Sequence, residues 1–90
     1  MHFFEFKVYY EFKPTESTPF PLKDEDVERN LKLLPNDLEH FIPGSTVSMI
    51  KEDFQNKSIQ IKIQTTESEE EVLSQLGRAL AFAKLFGERI

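Results

Sequence analysis

The sequence predicts an α+β fold, a two-layer sandwich with its elements in the order β-α-β-β-α. Residues 2–13 and 57–66 alternate between apolar and polar side chains, which is the period of a half-buried strand. Residues 24–42 and the segment that starts at Ser68 repeat apolar side chains at steps of three and four, which is the period of a helix with one buried face. Because the predicted strands have one polar face, we expect both helices on the other face.

The length and composition narrow the class of protein. The chain has 90 residues, enough for one hydrophobic core, so residues 1–90 are expected to form a single domain. It contains no cysteine, which excludes disulfides, Cys-ligated metal sites and thiolate nucleophiles and suits a cytoplasmic location. The first residues lack the basic region of a signal peptide, and no apolar run approaches the ~20 residues of a membrane span. We therefore expect no contact with membranes.

The first predicted strand presents two different faces. Phe3 and Tyr9 lie on its polar face, among Glu and Lys side chains. Aromatic residues on a sheet are typical of platforms that stack single-stranded RNA, but the few lysines nearby are too sparse to hold phosphates. We expect Phe3 and Tyr9 to pack across strands or to contact another protein. The inward-facing side chains are Phe4, Phe6, Val8, Tyr10 and Phe12.

Prolines mark the next two boundaries. Pro14, Pro19 and Pro21 make residues 14–23 a loop. Pro35 interrupts the helical pattern at a cost of about 3 kcal/mol in a helix interior. The prediction is a helix over 24–34, followed by either a kink or a short second helix over 35–42. Its apolar face contains Val27, Leu31, Leu34, Leu38 and Phe41.

Residues 45–53 and 57–66 read as two strands of a hairpin that turns at residues 54–56. The helix that follows begins with a capping box, Ser68 and Glu71. Its predicted apolar face contains Val72, Leu76, Ala79, Leu80, Ala83 and Phe86.

Glycines and two apolar side chains give further detail on this helix. Gly77 predicts a close approach of a neighbouring element, and Gly87 predicts the end of the helix. Phe82 and Leu85 fall outside the apolar face, so both are candidates for an interface.

The order of elements resembles a ferredoxin-like split β-α-β unit that lacks its last strand. The resemblance is one of topology, without a sequence motif, so it implies a fold and no function. With right-handed crossovers it implies a three-stranded mixed sheet of order 1-3-2, in which strands one and three are parallel. One edge of strand one would then be unpaired.

The charge pattern argues against nucleic acid as a direct partner. The formal net charge is −5, and the basic residues are scattered singly. Acidic residues cluster in residues 24–28 and 67–71, where each predicted helix begins and where negative charge opposes the helix dipole. The alternative interpretation is an acidic inhibitor that mimics nucleic acid on a partner protein, which requires both clusters on one surface.

Residues suited to catalysis or metal binding are few. His40 follows Asp37 and Glu39 near a helix end, His2 lies near the chain start, and no third ligand group is evident. The sequence has no phosphate-binding glycine loop and no hydrolase or zinc-protease motif. We therefore predict no enzyme activity, no catalytic residues, no cofactor and no metal.

These observations favour a small interaction module that acts through protein–protein contacts, as a homodimer or with another protein. The interface candidates are Phe3, Tyr9, Phe82 and Leu85. Self-association is expected mainly because strand one should have an unpaired edge, and such an edge can pair with another chain. A further alternative is a small-ligand-binding domain with a pocket near His40, between the helices and the 14–23 loop.

Overall fold

A computed structural model describes residues 1–90 and contains six elements in the order β-α-β-β-α-β. The strands are β1 (His2–Tyr9), β2 (Thr46–Asp53), β3 (Ser58–Thr65) and β4 (Phe86–Arg89). The helices are α1 (Asp24–Phe41) and α2 (Glu69–Ala83). One turn of 3₁₀ helix, Phe54–Asn56, connects β2 to β3, so the predicted hairpin is confirmed.

The sheet has four strands in the order β2-β3-β1-β4, and every neighbouring pair is antiparallel. The predicted three-stranded mixed sheet of order 1-3-2 is therefore wrong. A crossover through α1 makes β2 parallel to β1, with a gap one strand wide between them. Because the hairpin reverses the chain, β3 enters that gap antiparallel to both. With β4 present the topology is a complete ferredoxin-like unit, so the expectation of a missing last strand is also wrong.

The helix predicted to continue to Phe86 ends at Ala83 instead. Lys84 has a left-handed backbone conformation, with φ 59°, and Leu85 donates a backbone hydrogen bond to the Leu80 carbonyl at 2.9 Å. The chain then enters β4, which pairs with residues Phe6–Tyr9. Gly87 is thus a strand residue and not a helix stop, and the edge of β1 that was expected to be bare is covered from Phe6 to Tyr9.

Helix α1 runs without interruption through Pro35. The Leu side chains on either side, Leu34 and Leu38, are fully buried. Burying a leucine contributes about 1.5–3 kcal/mol, so these two together offset the ~3 kcal/mol that a proline costs inside a helix. The predicted division into two helices does not occur.

Strand β1 ends four residues earlier than the alternation predicts. Tyr10 still donates its amide to the Lys57 carbonyl at 3.0 Å, but the chain then leaves the sheet. The Tyr10 hydroxyl accepts a hydrogen bond from the Leu22 amide at 2.9 Å, which fixes the far end of the loop. Residues 10–23 therefore form a tethered connection that lies beside the sheet.

The core lies between the sheet and the two helices. Ser68 caps α2 as predicted, accepting from the Glu71 amide at 3.2 Å, while the Glu71 side chain accepts from Gln75 instead of completing the capping box. Gly77 has no atom within 4 Å of where a β-carbon would be, so its predicted close approach is wrong. The buried apolar residues are Phe4, Phe6, Val8, Val27, Leu31, Leu34, Leu38, Ile42, Ile59, Ile61, Ile63, Val72, Leu76, Ala79, Leu80, Ala83 and Leu85.

Candidate functional site

The face of the sheet turned away from the helices is uncovered, and we call it the open face. Side chains alternate along each strand, so the residues between the buried ones point to this side. The strand pairing places the following residues on it: Phe3, Glu5, Lys7 and Tyr9 in β1; Thr46, Ser48, Lys51 and Asp53 in β2; Gln60, Lys62 and Gln64 in β3; Phe86 and Glu88 in β4.

Aromatic rings and lysines form two groups on the open face. Tyr9 and Phe86 are directly paired across β1 and β4, and their rings are stacked with centroids 5.9 Å apart. The Lys13 ammonium lies 4.7 Å from the Phe86 centroid. At the other end of β1, the Lys62 ammonium lies 4.8 Å from the centroid of Phe3. Each contact is a cation–π pair, worth about 0.5–1 kcal/mol at exposed sites.

The charges on the open face balance: equal numbers of acidic and basic residues lie in its strands, and Lys13, above Phe86, is paired with Glu11 at 3.7 Å. The basic residues are Lys7, Lys51 and Lys62, and the acidic ones are Glu5, Asp53 and Glu88. Glu5 lies opposite Lys62, and Lys7 lies opposite Glu88, so acidic and basic groups alternate across the strands. The net charge of −5 is therefore carried by the rest of the chain.

The four interface candidates do not share one surface. Phe3, 55% exposed, and the half-buried Tyr9 lie on the open face. Phe82 is 78% exposed on α2, which covers the opposite face of the sheet. Leu85 is only 4% exposed and packs in the core, so it is not available to a partner. Phe86, assigned to the core from its helical spacing, joins the open face instead.

The edges of the sheet are less suited to binding a partner than the open face. The outer edges belong to β2 and β4, apart from residues 2–4 of β1, which extend beyond the pairing with β4. Strand β2 has a bulge between Met49 and Lys51, which leaves Ile50 out of the pairing and breaks the row of free backbone groups. Strand β4 has only four residues. A bulged strand and a short one are both poor templates for pairing with another chain.

The two acidic clusters lie at opposite ends of the molecule. Lys57, immediately before β3, pairs with Asp24 in the first turn of α1 at 3.0 Å. Helix α2, with its acidic first turn, begins beyond the other end of β3. The two helices are antiparallel, since Asn30 near the start of α1 donates to the carbonyl of Ala83, the last residue of α2, at 3.2 Å. A single acidic surface does not form.

The region around His40 contains no cavity and no metal-binding group. His40 Nδ1 donates to the Asn36 carbonyl one helical turn earlier, at 2.9 Å. No cavity in the structure is lined by His40, and no three His, Asp or Glu side chains are arranged to hold a metal ion. A cavity of about 270 Å³ does exist elsewhere, between the 10–23 connection and the end of α2.

Comparison with known proteins returned no relatives: no protein family, curated protein or solved structure matches the chain. Neither helix combines the length and the hydropathy needed to cross a lipid bilayer.

Proposed function

We propose that the protein is a small non-enzymatic interaction module that self-associates through the open face of its sheet. The observation that carries this proposal is the balance of charge on that face in a chain whose net charge is −5. Two copies with the same net charge repel each other over most of their surfaces. A face with equal numbers of acidic and basic groups is the one on which a second copy approaches with the least repulsion.

Alternating charge also supports a two-fold arrangement. In an isologous interface the same patch serves both subunits, so it must complement itself. The neighbouring residues Glu5 and Lys62, and likewise Lys7 and Glu88, give each patch both signs of charge. A rotated copy can therefore place a lysine opposite a carboxylate, while the exposed ring of Phe3 supplies apolar area.

The size of the open face suits a weak dimer. Three strands of eight residues extend about 27 Å and β4 about half as far, which gives about 450 Å² in projection at a spacing of about 4.8 Å. Two copies packed face to face would bury about 900 Å² in total, just below the limit of about 1,000 Å² for specific interfaces. We therefore expect dissociation in the micromolar range or above.

Sedimentation equilibrium over micromolar to submillimolar concentrations tests the proposal. The wild-type chain should show a reversible monomer–dimer equilibrium. Phe3→Ala, on the open face, should weaken it, whereas the matched variant Phe82→Ala removes an exposed ring from α2 and should leave it unchanged. A chain that stays monomeric throughout rejects self-association, and a response to Phe82→Ala alone would move the interface to the helical side.

A further inference from the structure

The connection between β1 and α1 leaves a cavity beneath it. Two hydrogen bonds hold its ends, from Tyr10 to the Lys57 carbonyl and from Leu22 to the Tyr10 hydroxyl. Thr15 and Thr18 exchange backbone hydrogen bonds of 3.1 and 3.2 Å, which close a tight turn between them. The cavity lies between this tethered connection and residues 81–86, where α2 ends and β4 begins.

The cavity approaches the size of a ligand site and has a largely apolar lining. Its volume of about 270 Å³ is far above the water-sized voids of a packed interior and just below the ~300–1,000 Å³ of small-molecule pockets. Burial of an apolar ligand against such walls is favourable at roughly 25 cal/mol per Å². The apolar lining consists of Tyr10, Phe12, Leu22, Ala81, Leu85 and Phe86.

The charged groups at the cavity leave one cation without a partner. Glu11 and Lys13 form an ion pair at 3.7 Å, and the Lys13 ammonium also lies over Phe86. Lys84 lines the cavity and takes part in none of the ion pairs of the chain. In a protein of net charge −5, an apolar cavity with an excess of positive charge is complementary to an anion.

The backbone of Lys84 adds to this argument. Lys84 ends α2 in the left-handed conformation, a position that glycine or asparagine normally occupies. Lysine there costs free energy relative to glycine, and residues held in such conformations cluster at functional sites. In this conformation the Lys84 side chain lies at the border of the cavity and gives it a positive charge. A glycine at this position would provide no charge.

We propose that this cavity binds a small monocarboxylate with an apolar body, its carboxylate paired with the Lys84 ammonium and its apolar part against Tyr10, Phe12 and Phe86. The cavity adjoins the open face, since Phe86 belongs to both, but ligand binding there does not depend on self-association. An amphipathic ligand fits because the cavity combines an apolar lining with one unpaired cation at its border.

Titration with 3-phenylpropanoate and with octanoate, followed by ¹H–¹⁵N NMR of the full chain, tests the proposal. Saturable shifts are expected in residues 10–13 and 81–86. The uncharged analogue 3-phenylpropanamide should bind about threefold more weakly, as expected for the loss of one exposed ion pair. No saturable shift with either acid, shifts confined to other residues, or equal affinity for acid and amide would each overturn it.

Two variants and a matched control distinguish the contribution of the Lys84 charge from that of the shape of the cavity. Lys84→Asn keeps a residue that tolerates the left-handed conformation and should abolish the preference for the acid. Lys51→Asn makes the same change of charge in β2, outside the cavity, and should preserve that preference. Ala81→Leu fills the cavity and should abolish binding of both probes. Retention of the preference in Lys84→Asn, or of binding in Ala81→Leu with a native-like spectrum, contradicts the assignment.

Discussion

Gly87 in β4 lies directly against Leu80 in α2, with no room for a side chain between them. A β-carbon built on Gly87 would be 2.8 Å from Leu80 Cδ1, below any normal carbon–carbon contact. Because Leu80 is itself buried, its side chain cannot simply turn into solvent. This contact fixes how closely the last strand approaches the helix that precedes it.

Gly87→Ala should therefore destabilise the protein. Overpacking of this kind costs about 1–3 kcal/mol, because Leu80 must leave its preferred rotamer or β4 must shift. Urea denaturation monitored by circular dichroism would show a lower midpoint with an unchanged slope. A midpoint equal to that of the wild type would contradict this, because it would mean that Leu80 moves aside without loss of packing.

Gly77→Ala should have the opposite effect. Gly77 lies in the interior of α2 and a β-carbon there meets nothing within 4 Å. Alanine restricts the unfolded chain and favours the helix, so the free energy of unfolding should rise by about 0.5–1 kcal/mol. The same denaturation experiment checks it, and Gly87→Ala provides a matched substitution of opposite sign. A loss of stability would show that another element packs on this side of α2.

Pro35→Ala should also stabilise the fold. Pro35 has no amide to donate to the Leu31 carbonyl, and its ring crowds the preceding turn of α1. Alanine restores the hydrogen bond, but it also makes the unfolded chain more flexible, which cancels part of the increase in stability. We expect a net increase of about 1–2 kcal/mol in the free energy of unfolding. A decrease, measured by thermal or urea denaturation, would indicate that the proline ring contributes packing that alanine cannot replace.

Lys62→Glu should weaken self-association. It changes the balanced charge of the open face to a net negative one and removes the cation above Phe3. Lys23→Glu makes the same change in total charge at the start of α1, away from the open face. Sedimentation equilibrium should show weaker dimerisation for Lys62→Glu than for Lys23→Glu. Equal effects would mean that total charge alone weakens dimerisation and that the open face is not the interface.

Long periodic segments made much of the fold predictable. In β3 the isoleucines alternate with polar residues, and in α1 the leucines recur at helical spacing across Pro35, so both elements follow from burial of one face. The hairpin and the Ser68 cap follow from local chemistry, since each depends on residues close in the sequence.

Strand β4 could not be predicted in the same way. It has four residues, too few to distinguish a period of two from one of 3.6, and Phe86 continues the apolar spacing of α2. Gly87, predicted to end the helix, pairs with β1 and packs against Leu80 instead, and neither contact has a local sequence pattern. Because β4 was not predicted, the contact between Tyr9 and Phe86 and the burial of Leu85 could not be predicted either.

The cavity could not be predicted from the sequence for a different reason. Tyr10 and Phe12 continue the alternation of β1, so they read as core residues of a longer strand. Their departure from the sheet depends on Lys57, Leu22 and the end of α2, all of which are distant in the sequence. Contacts between distant segments have no local pattern from which they could be inferred.

The position of β1 has a consequence for the order of folding. This strand is central, and both of its neighbours come from the second half of the chain. Loop-closure entropy opposes such pairings until other contacts compensate for it. The hairpin of β2 and β3 is local and can form on the microsecond timescale of isolated hairpins. We therefore expect β1 to join the sheet after the hairpin of β2 and β3 has formed, together with β4.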